Sequence, residues 1–202
     1  MNTKIDARVI HSKMQILASL EELLKEKPFQ KITVIDICKK AHINRMTFYN
    51  HYQDKYDLFN ESIKTFFLHV NDTYSKITNA KKIDIKHHPY DCLKILIGIL
   101  VDFAYDNEKI LFNIIVNKED DIASFMIKKA LDDATLKIVS DSGLESVNGF
   151  PISLIISFFS GGVSSVFGDW ITKKEVMSKE DFTTYLCRAI KAVIDTEVLK
   201  KL

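Results

Sequence analysis

Residues 43–52 read INRMTFYNHY. Two tyrosines, a phenylalanine, a histidine, an arginine and two asparagines share ten positions with no acid. Coiled as a helix, the stretch places Phe48 and Tyr52 on one face, four residues apart. Arg45, Met46, Thr47, Tyr49, Asn50 and His51 spread over the rest. Asn44, just before, is a natural N-cap. Upstream, Thr33 caps a second short helix, VIDICKKA, and Asp36 three residues on completes an imperfect capping box. His42-Ile43 separates the two helices, which makes a helix-turn-helix. Phe48 can pack back on Ile37 and Ile35, with Ile32, Val34 and Leu58 completing a small core.

The side chains left outside that core suit duplex nucleic acid. Arg, Thr and Asn can read base edges, and Tyr, His and Lys bind phosphate oxygens without reading sequence. The helix N-termini at Thr33 and Lys55 add positive ends for phosphate. Charge is distributed accordingly. Residues 1–58 hold ten Lys/Arg against seven Asp/Glu, whereas the remainder holds 18 against 20. The whole chain, at +1, is not a general polyanion binder.

Outward from this motif the chain reads as all-α, with about nine helices. Residues 4–26 are amphipathic through Ile5, Val9, Met14, Ile16, Leu17, Leu20, Leu23 and Leu24, and Pro28 stops them. Asp54 caps a long helix from Lys55 to about Ile77, and 79–88 reads as a loop. Pro89 opens an apolar helix over 90–105. Helices over 108–117 and 119–139, a loop at 140–149, a run from Pro151 to Ile171 and a last amphipathic helix over 179–200 complete the chain. Six Gly and three Pro in 202 residues argue against an all-β fold, which needs many turn residues. The expected domains are 1–54 and 55–202.

Several functions are excluded by what is missing. No Ser-His-Asp order, glycine-rich phosphate loop or HExxH pattern occurs, so an enzyme is not expected. No cofactor is implied. Cys38, Cys92 and Cys187 are odd in number and far apart, which suits reduced apolar fillers in the cytoplasm. His87-His88 beside Asp84, Asp91 and Cys92 lie in a charged loop and read as solvated, so no metal site is expected. MNTKIDARVI lacks the apolar run of a signal peptide.

The string TVIDICKKAHINRMTFYNHYQDKYDL resembles the DNA-binding signature of the TetR family of transcriptional regulators. Thr33, Ile37, Ala41, Ile43, Arg45, Thr47, Phe48, Tyr49, His51, Tyr52, Lys55 and Leu58 carry the likeness. It implies a homodimeric repressor that binds a near-palindromic double-stranded operator and is released by a small-molecule effector. Thr33, Thr47, Tyr49, His51 and Lys55 would meet backbone phosphates. Arg45 and Met46 would face bases, with Tyr49 and Asn50 at the margin. His42 stands where most relatives have Gly. The Gly161-Gly162…Trp170 pattern resembles a Firmicutes-type subgroup that includes regulators of dihydroxyacetone kinase operons, some of them coactivators without a ligand. A ligand-independent regulator that partners another is therefore the alternative.

From Ser146 to Gly168 there are 23 residues without a charge, long enough to span a bilayer. Serines, Pro151 and paired glycines within the run, and the soluble motif before it, speak against a membrane. The expected burial is core on one side and a second subunit on the other, through 151–171 and 180–199. On the last helix Phe182, Leu186, Ala189, Val193 and Val198 form an expected interface stripe. Phe66, Phe67, Tyr74, Phe103, Tyr105, Phe112 and Phe125 fit either a packed core or an effector pocket; the resemblance favours the pocket.

Overall fold

The computed structural model describes residues 7–115, 121–141, 143, 146–147, 150–173 and 177–195. Among these are nine α-helices: α1 (Ala7–Glu26), α2 (Val34–Lys40), α3 (Arg45–Tyr49), α4 (Lys55–Lys81), α5 (Pro89–Asp106), α6 (Glu108–Ile115), α7 (Asp121–Asp141), α8 (Ile152–Lys173) and α9 (Lys179–Asp195). A single 3-10 turn, Phe29–Lys31, follows α1. Within the loop expected at 140–149 a two-residue strand, Ser146–Val147, pairs antiparallel with Phe150–Pro151, in register Ser146 to Pro151. Ile5, Val198 and 196–199 of the expected interface segment lie outside the described residues.

The chain divides into two compact units that are interleaved in sequence. One is Met1–Lys64 with Lys109–Met126, the other Thr65–Glu108 with Ile127–Leu202. Ile110, Asn113 and Ile114 of α6 are buried, and Asn113 Nδ2 donates to the Leu24 carbonyl of α1 at 2.8 Å.

In the first unit Ile16, Leu20, Phe29, Ile32, Ile37, Phe48 and Leu58 are almost wholly buried. Ile35, expected in this core, is exposed, because the capping geometry of α2 turns Ile37 and Cys38 inward instead. Val9 and Met14 on α1 are likewise exposed. Phe29 sits between Tyr56, edge-on at 5.4 Å, and Phe59, tilted at 4.5 Å.

In the second unit α5 and α9 pack closely around Ile97, Val101, Phe182, Leu186, Cys187 and Ile190. Trp170 of α8 stacks on Phe182 at 4.5 Å, and Phe167 meets the same ring edge-on at 5.2 Å. The stripe expected to form an interface on α9 is thus partly core: Phe182 and Leu186 are spent on α5 and α8. Ala189 of the same stripe is exposed, as is the neighbouring Tyr185.

α8 divides by face as its composition requires. Ile156, Ser160 and Ile171 are buried, and Phe159, Val163, Phe167 and Trp170 pack on the core. Leu154, Phe158 and Val166 are exposed on the other side. Of the described helices this one is long and apolar enough, over Ile152–Thr172, to cross a membrane by length and composition. Its buried face carries a polar pin: Ser160 Oγ donates to Asp132 of α7, which also pairs with Lys128 at 2.8 Å. A Cβ on Gly162 would meet nothing within 4 Å among the described residues.

Candidate nucleic-acid interface

Local chemistry builds the two short helices with little help from the rest of the chain. Thr33 Oγ1 accepts the Asp36 amide at 3.2 Å, and the Thr33 amide donates to Asp36 Oδ2 at 2.9 Å, so the capping box is complete. Lys27 Nζ lies 2.9 Å from the same carboxylate oxygen. These bonds, the Lys27 one foremost, hold the Asp36 carboxyl down at about 2.

The turn is a Schellman motif. His42 N–H donates to the Lys39 carbonyl at 3.3 Å and Ile43 N–H to the Cys38 carbonyl at 3.0 Å. His42 occupies the left-handed corner, with φ of 53°. A Cβ is disfavoured there but tolerated in histidine better than in most residues. Asn44 then caps α3, its Oδ1 accepting from the Thr47 amide at 2.8 Å.

The expected contact residues fall into two groups. Arg45, Met46, Tyr49 and Asn50 are exposed side by side on α3, and Met46 is 75% exposed. Phe48 anchors the helix from beneath, fully buried, with Tyr49 edge-on to it at 5.5 Å.

Thr33, Thr47, His51 and Lys55 are held by the protein. The Thr33 hydroxyl donates to Asp36 Oδ2 at 2.7 Å and the Thr47 hydroxyl to Asn44 Oδ1 at 3.0 Å. Phosphate accepts and does not donate, so each hydroxyl must first release that bond. His51 Nε2 lies 2.8 Å from Ser12 Oγ on α1. Ser12 already donates to the Val9 carbonyl, so Nε2 must supply the proton and Nδ1 is the nitrogen left over.

Lys55 departs furthest from expectation. Its Nζ donates to the carbonyls of Phe29, Gln30 and Ile32 at 3.0–3.1 Å and lies 4.7 Å above the Phe29 ring. An ammonium has three donors, and all three face protein carbonyls. Lys55 therefore ties the head of α4 to the 3-10 turn, and a direct phosphate contact would break that tie.

Lys39 was not foreseen. It lies in the last turn of α2, is exposed and has no acidic partner among the described residues. Its neighbour Lys40 is committed to Glu26 and Glu22 at 2.8 and 3.2 Å. The Lys-Lys pair is visible in the sequence, but which of the two is engaged is not.

The seven ring residues offered for an effector pocket do not form one wall. Phe66 and Phe103, both half-buried, pack together at 4.0 Å, and Phe66 meets Phe67 at 5.0 Å. Phe67 and Tyr74 are buried, Phe112 is half-buried, and Tyr105 and Phe125 stand on the surface. Phe112 and Phe125 belong to the first unit, the others to the second. Tyr74 alone of the seven borders a groove of about 450 Å³ formed by α4, the 83–85 turn and α7. Burial pushes all three cysteine thiols up, which leaves them unreactive. Among the described residues no three metal-ligating side chains cluster.

With this geometry in place, comparison with known proteins is informative. Residues 16–62 match the family model of bacterial regulatory proteins, tetR family. An HTH-type transcriptional regulator of Staphylococcus aureus is 29% identical over 103 residues, 50% of this chain and 52% of that protein. The chain thus spans about half the length of that curated relative. A TetR transcriptional regulator from Streptococcus agalactiae superposes with a TM-score of 0.64 at 18% identity, over 92% of this chain and 96% of that one. DhaS, a dihydroxyacetone kinase operon activator, superposes at 0.60 and 17% identity, over 92% and 97%. Both superpositions establish the fold.

Proposed function

We propose that this chain, which belongs to the tetR family of bacterial regulatory proteins, is a homodimeric, sequence-specific transcriptional repressor that a small-molecule effector releases from DNA. The observation that carries the reading is the open row Arg45, Met46, Tyr49 and Asn50 on a capped helix whose buried face is fixed by Phe48. Such a helix enters the major groove with its first residues at base edges. Arg45 is the base reader, and Tyr49 with Lys39 binds phosphate. Thr33, Thr47 and His51 act after rearranging their bonds.

One reading head makes few contacts, so two are needed, about 34–36 Å apart on a near-palindrome. The exposed face of α8, with Leu154, Phe158, Val166 and Gly162, supplies the dimer contact, together with the Tyr185 side of α9. Burial in that dimer accounts for the charge-free run up to Gly168 in a cytoplasmic protein better than a bilayer does. An effector that favours a dimer whose heads mismatch the operator lowers affinity by the ratio of its affinities for the two states.

The second reading is a ligand-independent activator that partners another regulator. It is supported by the contacts of Phe66 with Phe67 and Phe103, three of the rings offered for an effector pocket.

Selection of random duplexes by the pure protein tests the DNA-binding reading. A recovered near-palindrome bound by two chains supports it. Failure to retain any sequence at low salt, from a folded sample, ends it.

A further inference from the structure

His51 lies just past α3 and is half-buried. Among the described residues its ring makes one hydrogen bond, from Nε2 to Ser12 Oγ of α1, 2.8 Å away and 39 positions earlier. The Ser12 hydroxyl also reaches the Val9 carbonyl at 3.1 Å. Within α1 that carbonyl already takes the amide four residues on, so it loses little when the hydroxyl leaves. The other ring nitrogen, Nδ1, has no partner among the described residues and is not buried. Lys13, next to Ser12, is turned to Glu61 of α4 at 2.7 Å, and the nearest ring is Tyr52, with centroids 6.2 Å apart. No carboxylate bonds the imidazole among the described residues.

A neutral imidazole has one N–H and one lone pair, whereas a hydroxyl can both accept and donate. With the ring proton on Nε2 and spent on Ser12, Nδ1 offers a phosphate oxygen only a lone pair, which repels it. We infer that Ser12 is a positioning residue for the DNA contact. Its hydroxyl turns from the Val9 carbonyl to donate to His51 Nε2, and the imidazole proton then sits on Nδ1, where it donates to a backbone phosphate. The Nε2 proton leaves to solvent and Nδ1 takes one from solvent, so the ring stays neutral. The Ser12–His51 pair stays together and only the direction of its hydrogen bond reverses. This is the rearrangement that His51 needs, and it keeps α1 joined to the end of α3 while DNA is held. The inference rests on the reading above, in which α3 enters DNA and His51 meets phosphate.

Nitrogen NMR of the full chain, isotopically labelled at its histidines, reads which ring nitrogen holds the proton. The probe is a short duplex of random sequence at low salt, because a phosphate contact does not read bases. The pH is set slightly above neutral, where an ordinary imidazole is uncharged. His51→Gln identifies the signal by its loss. The His51 proton should be on Nε2 in the free chain and on Nδ1 in the complex. Ser12→Ala should weaken retention of the duplex about fivefold per chain, the worth of one hydrogen bond. Ser12→Thr keeps the hydroxyl and should restore the parent affinity. In a His51→Gln background Ser12→Ala should change nothing, which a merely structural role of Ser12 would not produce. Alanine is the best helix former, so the Ser12→Ala variant folds. A proton that stays on Nε2 in the complex, protons on both nitrogens, parent-like binding by Ser12→Ala, or no rescue by Ser12→Thr overturns the inference and leaves the DNA-binding reading standing. A folded parent chain that retains no duplex at low salt ends both.

Discussion

Asn113 donates from its side-chain amide to the main-chain carbonyl of Leu24, 2.8 Å away and 89 residues earlier. The Leu24 carbonyl is among the last of α1, where no helical partner remains. Asn113 is 8% exposed, so the bond is made away from water. Asn113→Ala leaves a buried acceptor unsatisfied and should cost about 1–3 kcal/mol of stability. Urea unfolding checks this; an unchanged midpoint would mean the bond is incidental.

Lys55 separates a structural role from an electrostatic one. Lys55→Met removes three bonds to carbonyls and should lower the denaturation midpoint. It should leave the slope of log affinity against log salt on DNA unchanged, whereas Lys39→Met should reduce that slope by about one. If Lys55→Met shifts the slope and leaves the midpoint alone, its ammonium meets phosphate after all.

Arg45 is exposed at the first position of α3. Arg45→Ala should relax preference at one base step by about 1–3 kcal/mol if its contact is bidentate. Tyr49→Phe should weaken binding to all sequences alike. Parallel selections with the two variants distinguish the effects.

His42 holds a left-handed corner with φ of 53°. His42→Gly relieves the Cβ clash and loses some unfolded-state restraint, for a net gain of about 0.5–1 kcal/mol. A destabilised variant would show that the imidazole makes a contact worth more than the strain.

Acid stability should report on the capping box. Asp36 titrates at about 2 when folded against an ordinary 3.8. A lowered folded value means its contribution is complete above the ordinary value and is lost as pH falls toward about 2. Asp36→Asn should therefore be less stable than the parent at neutral pH, and the gap should narrow through that window. Stability curves at several pH values check it.

Phe158 is 69% exposed within the charge-free part of α8. Phe158→Asp places a charge where a second α8 would pack and should yield monomers in sedimentation at micromolar concentration. Its secondary structure should be unchanged, because the side chain faces away from its own core.

The helix-turn-helix was legible in the sequence because its determinants are local. Thr33 with Asp36, and Asn44 with Thr47, are three residues apart, and the Schellman corner spans Cys38 to Ile43. The apolar helix α8 was legible for the same reason: composition along one segment suffices. Tertiary structure decided which side chains are already spent. His51 is bound to Ser12 39 positions away, and Lys55 to carbonyls 23–26 positions away. Phe66 meets Phe103, 37 positions on, with ring centroids 4.0 Å apart, and among the described residues the buried Asn71 Oδ1 has no hydrogen-bond partner. The amino-acid order names every donor, acceptor and ring, but only the folded chain settles which of them meet each other and which are left for a partner.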